Sequence, residues 1–159
     1  MKLLTIEIRH FFLSARNKEM TIDGIAYLFI VLFMYTAASK FMDPKSFASV
    51  LNKSPLMAGY GSIFAFTIPS VELMVSISLS IAASRKLGLY ASLILMTLFT
   101  LYLVFMVFSG SKLPCHCGGV ISTMSWQDHI WFNLGFTLFA ITALALHPKQ
   151  KQSVQLQCR

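Results

Sequence analysis

Four stretches of this chain carry almost no charge, and each is bounded by charged or turn-forming residues. Gly24 to Ser39 is the first, 16 uncharged residues between Asp23 and Lys40. A bilayer core takes about 20 mostly apolar residues per helical crossing. With the Lys40 stem able to lie along lipid while its ammonium reaches the headgroups, the stretch predicts a full first crossing. The second runs from Gly61 to Ser84, carries Pro69 and Glu72 in its middle, and is closed by Arg85 and Lys86. The third, Leu87 to Ser111, has 25 residues without a charge. The fourth runs from Trp126 to His147, where Ser125 and Asp128 fit a capping box at its start and Pro148 ends it.

Between the first two crossings the pattern changes period. Asp43 followed by Pro44 reads as an N-cap with proline at the first helical position, and Phe47, Val50 and Leu51 form one apolar face before Asn52 and Pro55. This predicts a short interfacial helix. Residues 1–20 place Leu4, Ile8, Phe11 and Phe12 at helical spacing among Lys2, Arg9, Arg16 and Lys18, which fits a helix in the headgroup region or a basic tail. The expected architecture is all-α, an integral membrane four-helix bundle with short interfacial helices. Its expected divisions are an N-terminal segment over 1–21, a four-crossing domain over 22–147 and a polar tail over 148–159.

Composition agrees. Of 159 residues 56% are hydrophobic and 12% charged, with a mean hydropathy of +0.68, which leaves no room for a separate soluble domain. The net charge of +7 is scattered over the flanks of the apolar stretches instead of forming one patch with interleaved aromatics, so it points to lipid headgroups and not to nucleic acid. Nine lysines and arginines fall on one side of the predicted topology (Lys2, Arg9, Arg16, Lys18, Arg85, Lys86, Lys149, Lys151, Arg159) and four on the other (Lys40, Lys45, Lys53, Lys112). That imbalance puts both termini in the cytoplasm. The first residues lack an unbroken apolar run and a small-residue cleavage site, so no removable signal peptide is expected.

Chemistry concentrates in the last loop. Cys115 and Cys117 flank His116 and precede Gly118-Gly119, on the side expected to face outward, where thiols are normally oxidised. A ring closed between two cysteines one residue apart is strained and holds almost no chain, so it suits exchange better than stabilisation. His116, His129 and the positive end of the fourth helix would favour thiolate if they converge. Three readings of this loop stay open: thiol–disulfide exchange, metal capture by Cys115, Cys117, His116 and His129, and a loop with incidental cysteines. Cys158 lies alone in the tail and receives no role.

Glu72 is the second point. An ionisable group deep in a crossing faces the bundle interior and pairs or exchanges protons. It could serve a quinone or quinol, or be structural, paired with Lys40 or hydrogen-bonded to Ser76, Thr36 or Tyr35. Pro69, one turn earlier, frees a carbonyl and bends the helix. His129 and Asn133 share a face of the fourth helix and would line a site beneath the cysteines, whereas Trp126 and Trp131 read as interfacial anchors.

Together these residues resemble the MauE/DoxX superfamily of redox-associated membrane proteins, the MauE-like branch above all. The resemblance spans about Ile22 to His147 and rests on Ala37-Ala38-Ser39-Lys40-Phe41, Ile68-Pro69-Ser70-Val71-Glu72-Leu73 and Pro114-Cys115-His116-Cys117-Gly118-Gly119 leading into Trp126-Gln127-Asp128-His129. It implies a bacterial inner-membrane component that passes electrons between exported protein thiols and the membrane through quinone, in a direction the resemblance leaves open. Cys115 and Cys117, aided by His116 and His129, would then be the redox groups, and Glu72, Lys40 and Asn133 the cofactor-binding ones. Quinone-linked oxidases of the DsbB or vitamin K epoxide reductase type use two cysteine pairs, and here there is one outward pair. The alternative function is a metal-handling or scaffolding membrane protein.

Overall fold

The computed structural model describes residues 2–54, 56–109 and 126–147, with side chains from Asn17 onward and without that of Trp126. Among these residues five helices follow one another: α1 (Lys2–Met42), α2 (Pro44–Lys53), α3 (Gly61–Ser80), α4 (Arg85–Phe108) and α5 (Trp126–Leu146). Among the described residues, four spans are long and apolar enough to cross a membrane, Asn17–Met42, Gly61–Ser80, Arg85–Phe108 and Gln127–Leu146. This is a multi-pass membrane protein, and the lipid bilayer is its surroundings. Its outward side chains agree: Val31, Ile63, Leu98 and Leu138 are all exposed, where lipid replaces the aqueous contact that would make such a surface aggregate.

The crossings form a ring in which α1 packs along α3, α3 against α4, α4 along α5, and α5 more lightly back on α1. Inside it lie Phe29, Phe33, Leu79, Leu89, Met96, Ala140 and Ala143, all nearly or wholly buried. Aromatic rings close the lighter α1–α5 seam: Phe29 meets Phe136 edge-on with centroids 5.4 Å apart, and Phe136 leans on Phe132 at 4.8 Å. Glycine lets α3 and α4 approach closely. A Cβ at Gly88 would stand 2.9 Å from both the backbone nitrogen and the side chain of Leu79, so any larger residue would push the helices apart.

The short helix falls where the sequence placed it. The Asp43 carboxylate accepts from the Ser46 N–H at 3.1 Å, with Pro44 in the first turn. Its apolar face does more than rest at an interface: Phe47 and Leu51 are buried with Ala65 against α3. After the break at Asp43, α2 continues the path of α1 beside α3. One antiparallel register runs from Lys40 opposite Glu72 to Asn52 opposite Gly61, whose N–H donates to Asn52 Oδ1 at 2.9 Å. The two chain directions reverse in a turn through Gly59, which has φ +88°.

Two expectations about charged residues change. Lys40 does not extend to the headgroups; it is 5% exposed and turned inward, because a carboxylate stands opposite it. Arg85 and Lys86 open α4 instead of closing the second crossing, since α3 ends at Ser80 and Arg85 Nη1 is bound to Asp23 Oδ1 of α1. In place of the separate N-terminal element expected over 1–20, α1 is continuous from Lys2. At about 1.5 Å per residue its 41 residues are about twice as long as a bilayer core is thick.

Candidate functional site

Lys40 and Glu72 form the centre of the site. Lys40 Nζ lies 2.5 Å from Glu72 Oε1, and the side chains are 5% and 1% exposed. Each is where its helix must put it. Lys40 stands one turn beyond Thr36 on the face of α1 that meets α3, and Glu72 lies one turn beyond Pro69, whose ring is also buried there. A proline in mid-helix leaves one carbonyl without its donor and bends the axis. The Ser76 hydroxyl donates to the Glu72 carbonyl at 3.0 Å, tying down the turn that follows.

Two rings complete the surroundings of the ammonium. Its nitrogen lies 5.7 Å from the Phe47 centroid of α2 and 5.5 Å from that of Phe99 of α4. Four elements thus converge on one cation, and both rings stand within the range at which an aromatic face attracts it. The account of the carboxylate is less complete: Oε2 is buried and, among the described residues, has no hydrogen-bond partner. Taking two charges out of water is costly even when they meet, and an acceptor left unmet adds to the cost. Such a pair is poor evidence of stability and good evidence of use.

His129 and Asn133 are buried on the inward face of α5, 7% and 4% exposed. Counting residues from the Phe29–Phe136 contact at about 1.5 Å each sets His129 roughly one turn, and Asn133 roughly two turns, deeper in the bundle than Lys40. The residues expected to meet a cofactor therefore divide into a joined pair, Lys40 with Glu72, and Asn133 at another depth. Trp131, by contrast, is 73% exposed, as an interfacial anchor would be.

Cys115, His116, Cys117, Ser125 and Cys158 lie outside the described residues. The connection that holds Cys115 and Cys117 joins the end of α4 to the start of α5, and that end of the bundle is also the end bearing α2: the Ser54 hydroxyl after α2 contacts Met106 Sδ near the end of α4 at 3.6 Å. Among the described residues no group of three or more His, Cys, Asp and Glu could hold a metal ion.

Sequence reasoning named Lys40 and Glu72 as one of several pairings for the buried carboxyl, and this pairing is present. It missed the rings. Phe47 belongs to the apolar face that the sequence predicts for α2, but nothing in the pattern marks it as a cover for a cation. Phe99 sits in an unbroken apolar run where no pattern sets one phenylalanine apart from the others.

The sequence model of the family described as methylamine utilisation protein MauE matches residues 18–146. No curated protein and no solved structure matches the chain.

Proposed function

The chain belongs to the MauE family, and from that membership we propose that it is a thiol–disulfide redox component, exchanging electrons between exported protein thiols and the membrane through Cys115 and Cys117. Exchange proceeds by attack of a client thiolate on the Cys115–Cys117 disulfide. A mixed disulfide forms, one cysteine of the pair leaves as thiolate, and a second client thiolate resolves the adduct. The client gains a disulfide while the pair takes up two electrons; run backward, the same steps reduce the client. His116 and His129 would favour the thiolate form if they converge on the sulfurs.

The observation that carries this reading is the C-x-C-G-G sequence in a connection that starts and ends at the α2-bearing end of the bundle. The charge imbalance of the connections supports an exported position for that end, with both termini in the cytoplasm, and the membrane would be the bacterial inner one. Quinone is the proposed acceptor: Glu72 Oε2, without a hydrogen-bond partner among the described residues, and the ammonium of Lys40 suit its carbonyl and hydroxyl oxygens, Asn133 would meet it deeper in the bundle, and quinone when bound supplies a two-electron acceptor.

In the backward direction the Cys115 thiolate attacks a client disulfide and Cys117 resolves the adduct, so replacing Cys117 by serine should trap a mixed disulfide between Cys115 and an oxidised client, visible as a reductant-sensitive adduct. Cys115→Ser together with Cys117→Ser should abolish it. If no adduct forms and the redox state of every exported client is unchanged in the double variant, the proposal fails. Metal stoichiometric with the purified protein and thiols that stay reduced would instead mark a metal-handling protein.

A further inference from the structure

Helix α2 presents two faces that point in opposite directions. Phe47 and Leu51 are buried with Ala65 of α3, and Phe64 and Ile68 pack against them. A Cβ at Gly61 would stand 2.5 Å from the Ala48 carbonyl oxygen, so the helices meet at close range and α2 is fixed in place. Lys45, Ser49 and Lys53 are exposed. Spaced four residues apart, they fall within an arc of about 80° on the side away from Phe47 and Leu51.

The same contacts set the depth of this stripe. They run along α3 from Gly61 to Ile68, about 10 Å at 1.5 Å per residue, and Gly61 begins one of the spans fit to cross a membrane. The stripe therefore stands beside the outermost part of the bilayer at that end. From there long lysine stems carry their ammonium groups to the level of the lipid phosphates.

The counter-charge for these lysines has to come from outside the chain. There are six side-chain carboxylates. Glu72 is bound to Lys40 and Asp23 to Arg85, while Asp43 accepts from the Ser46 N–H as the cap of α2. Asp128 is not free, and no ion pair among the described residues includes Lys45 or Lys53. Glu7 and Glu19 stand in the first half of α1, more than about 30 Å along the chain's helical path from α2. The α4–α5 connection, residues 109–125, contains neither Asp nor Glu. A charge at membrane depth is costly unless it is met.

We propose that the Lys45–Ser49–Lys53 face of α2 is a docking surface for anionic phospholipid, the two ammonium groups and the Ser49 hydroxyl donating to phosphodiester oxygens. The residues around its ends favour lipid over a soluble acidic protein. Met42, Leu56 and Tyr60 are exposed there, and acyl chains cover such side chains where a soluble partner would leave them bare. The surface serves whichever leaflet faces it and does not depend on thiol chemistry.

The test uses the full-length protein in lipid nanodiscs doped with phosphatidylglycerol or, in a parallel sample, phosphatidylcholine, each carrying a diazirine near the head of one acyl chain. After illumination, label on residues 41–60 is counted by peptide mass spectrometry. A lysine near the membrane surface is worth about fivefold in binding anionic lipid, so the parent should take phosphatidylglycerol over phosphatidylcholine at this segment by about tenfold or more. Lys45→Gln combined with Lys53→Gln should bring the ratio to within about twofold of one. Lys45→Arg with Lys53→Arg should keep the preference, and raised salt should lower it. Lys86→Gln, at the other end of the bundle, should leave it unchanged. All three positions are exposed, so the variants should fold, and helicity measured alongside checks this. A parental ratio near one, or a folded glutamine variant that labels like the parent, would overturn the proposal. So would a soluble polyglutamate peptide that shields both lysines from acylation while no lipid preference is seen, which would give the face to an acidic protein. None of these outcomes bears on whether Cys115 and Cys117 exchange disulfides.

Discussion

Two ion pairs tie this bundle together among its described residues, one toward each end, and their surroundings set them apart. Arg85 and Asp23 meet where the chain turns from α3 to α4, with side chains 26% and 49% exposed; water and headgroups can satisfy whatever the partners leave unmet. Lys40 and Glu72 meet beneath α2, almost wholly buried, where only the protein can do so. The protein supplies two aromatic faces for the cation, and among the described residues one carboxylate oxygen has no hydrogen-bond partner. Near the surface a charge pair closes a helix junction at little cost. In the interior it is retained against a desolvation penalty, and the polar groups His129 and Asn133 are buried in the same ring of helices.

This contrast can be broken by mutation. Removing one partner of the buried pair has the largest expected effect. Lys40→Met or Glu72→Leu alone should cost about 3–5 kcal/mol in reversible unfolding from mild detergent, because each leaves an uncompensated buried charge, while the double variant should recover most of the loss. Second, Gly88→Val should cost about 1–3 kcal/mol by the same measurement, as its side chain would be driven into Leu79 across the α3–α4 contact. Asp43→Ala should lower stability by roughly 1 kcal/mol through loss of the α2 cap, with helicity reduced locally in hydrogen exchange. The smallest effect belongs to the exposed pair: Asp23→Asn should cost under about 1 kcal/mol and lose even that in high salt. If Asp23→Asn proved as damaging as Glu72→Leu, the distinction between the two ends would be gone.

How much of this was legible beforehand follows from the same residues. The crossings were, because lipid demands long uncharged runs and the chain has four. Helix α2 was, down to its cap, because Asp-Pro is strong local punctuation. Glu72 announced itself as a charge in an apolar run. The inward turn of Lys40 was less legible: a lysine at the end of a crossing reads equally well as reaching the headgroups, and only the register between α1 and α3, a tertiary quantity, sets it opposite a carboxylate. The start of α4 escaped for a similar reason, since Arg85-Lys86 closes an apolar run in sequence but begins a helix in space. The rings of Phe47 and Phe99 were not legible as a pair at all, because 52 residues separate them and no periodicity links one to the other.

The buried pair concerns how the bundle is built; the function proposed for the protein rests on the sulfurs of the α4–α5 connection. The most direct measurement is the oxidation state of Cys115 and Cys117 in isolated membranes, read by a membrane-impermeant thiol reagent with and without prior reduction. The account predicts that both sulfurs resist labelling until reductant is added and then react from the exported face. Full labelling before reduction, or reaction only from the cytoplasmic face, would contradict it.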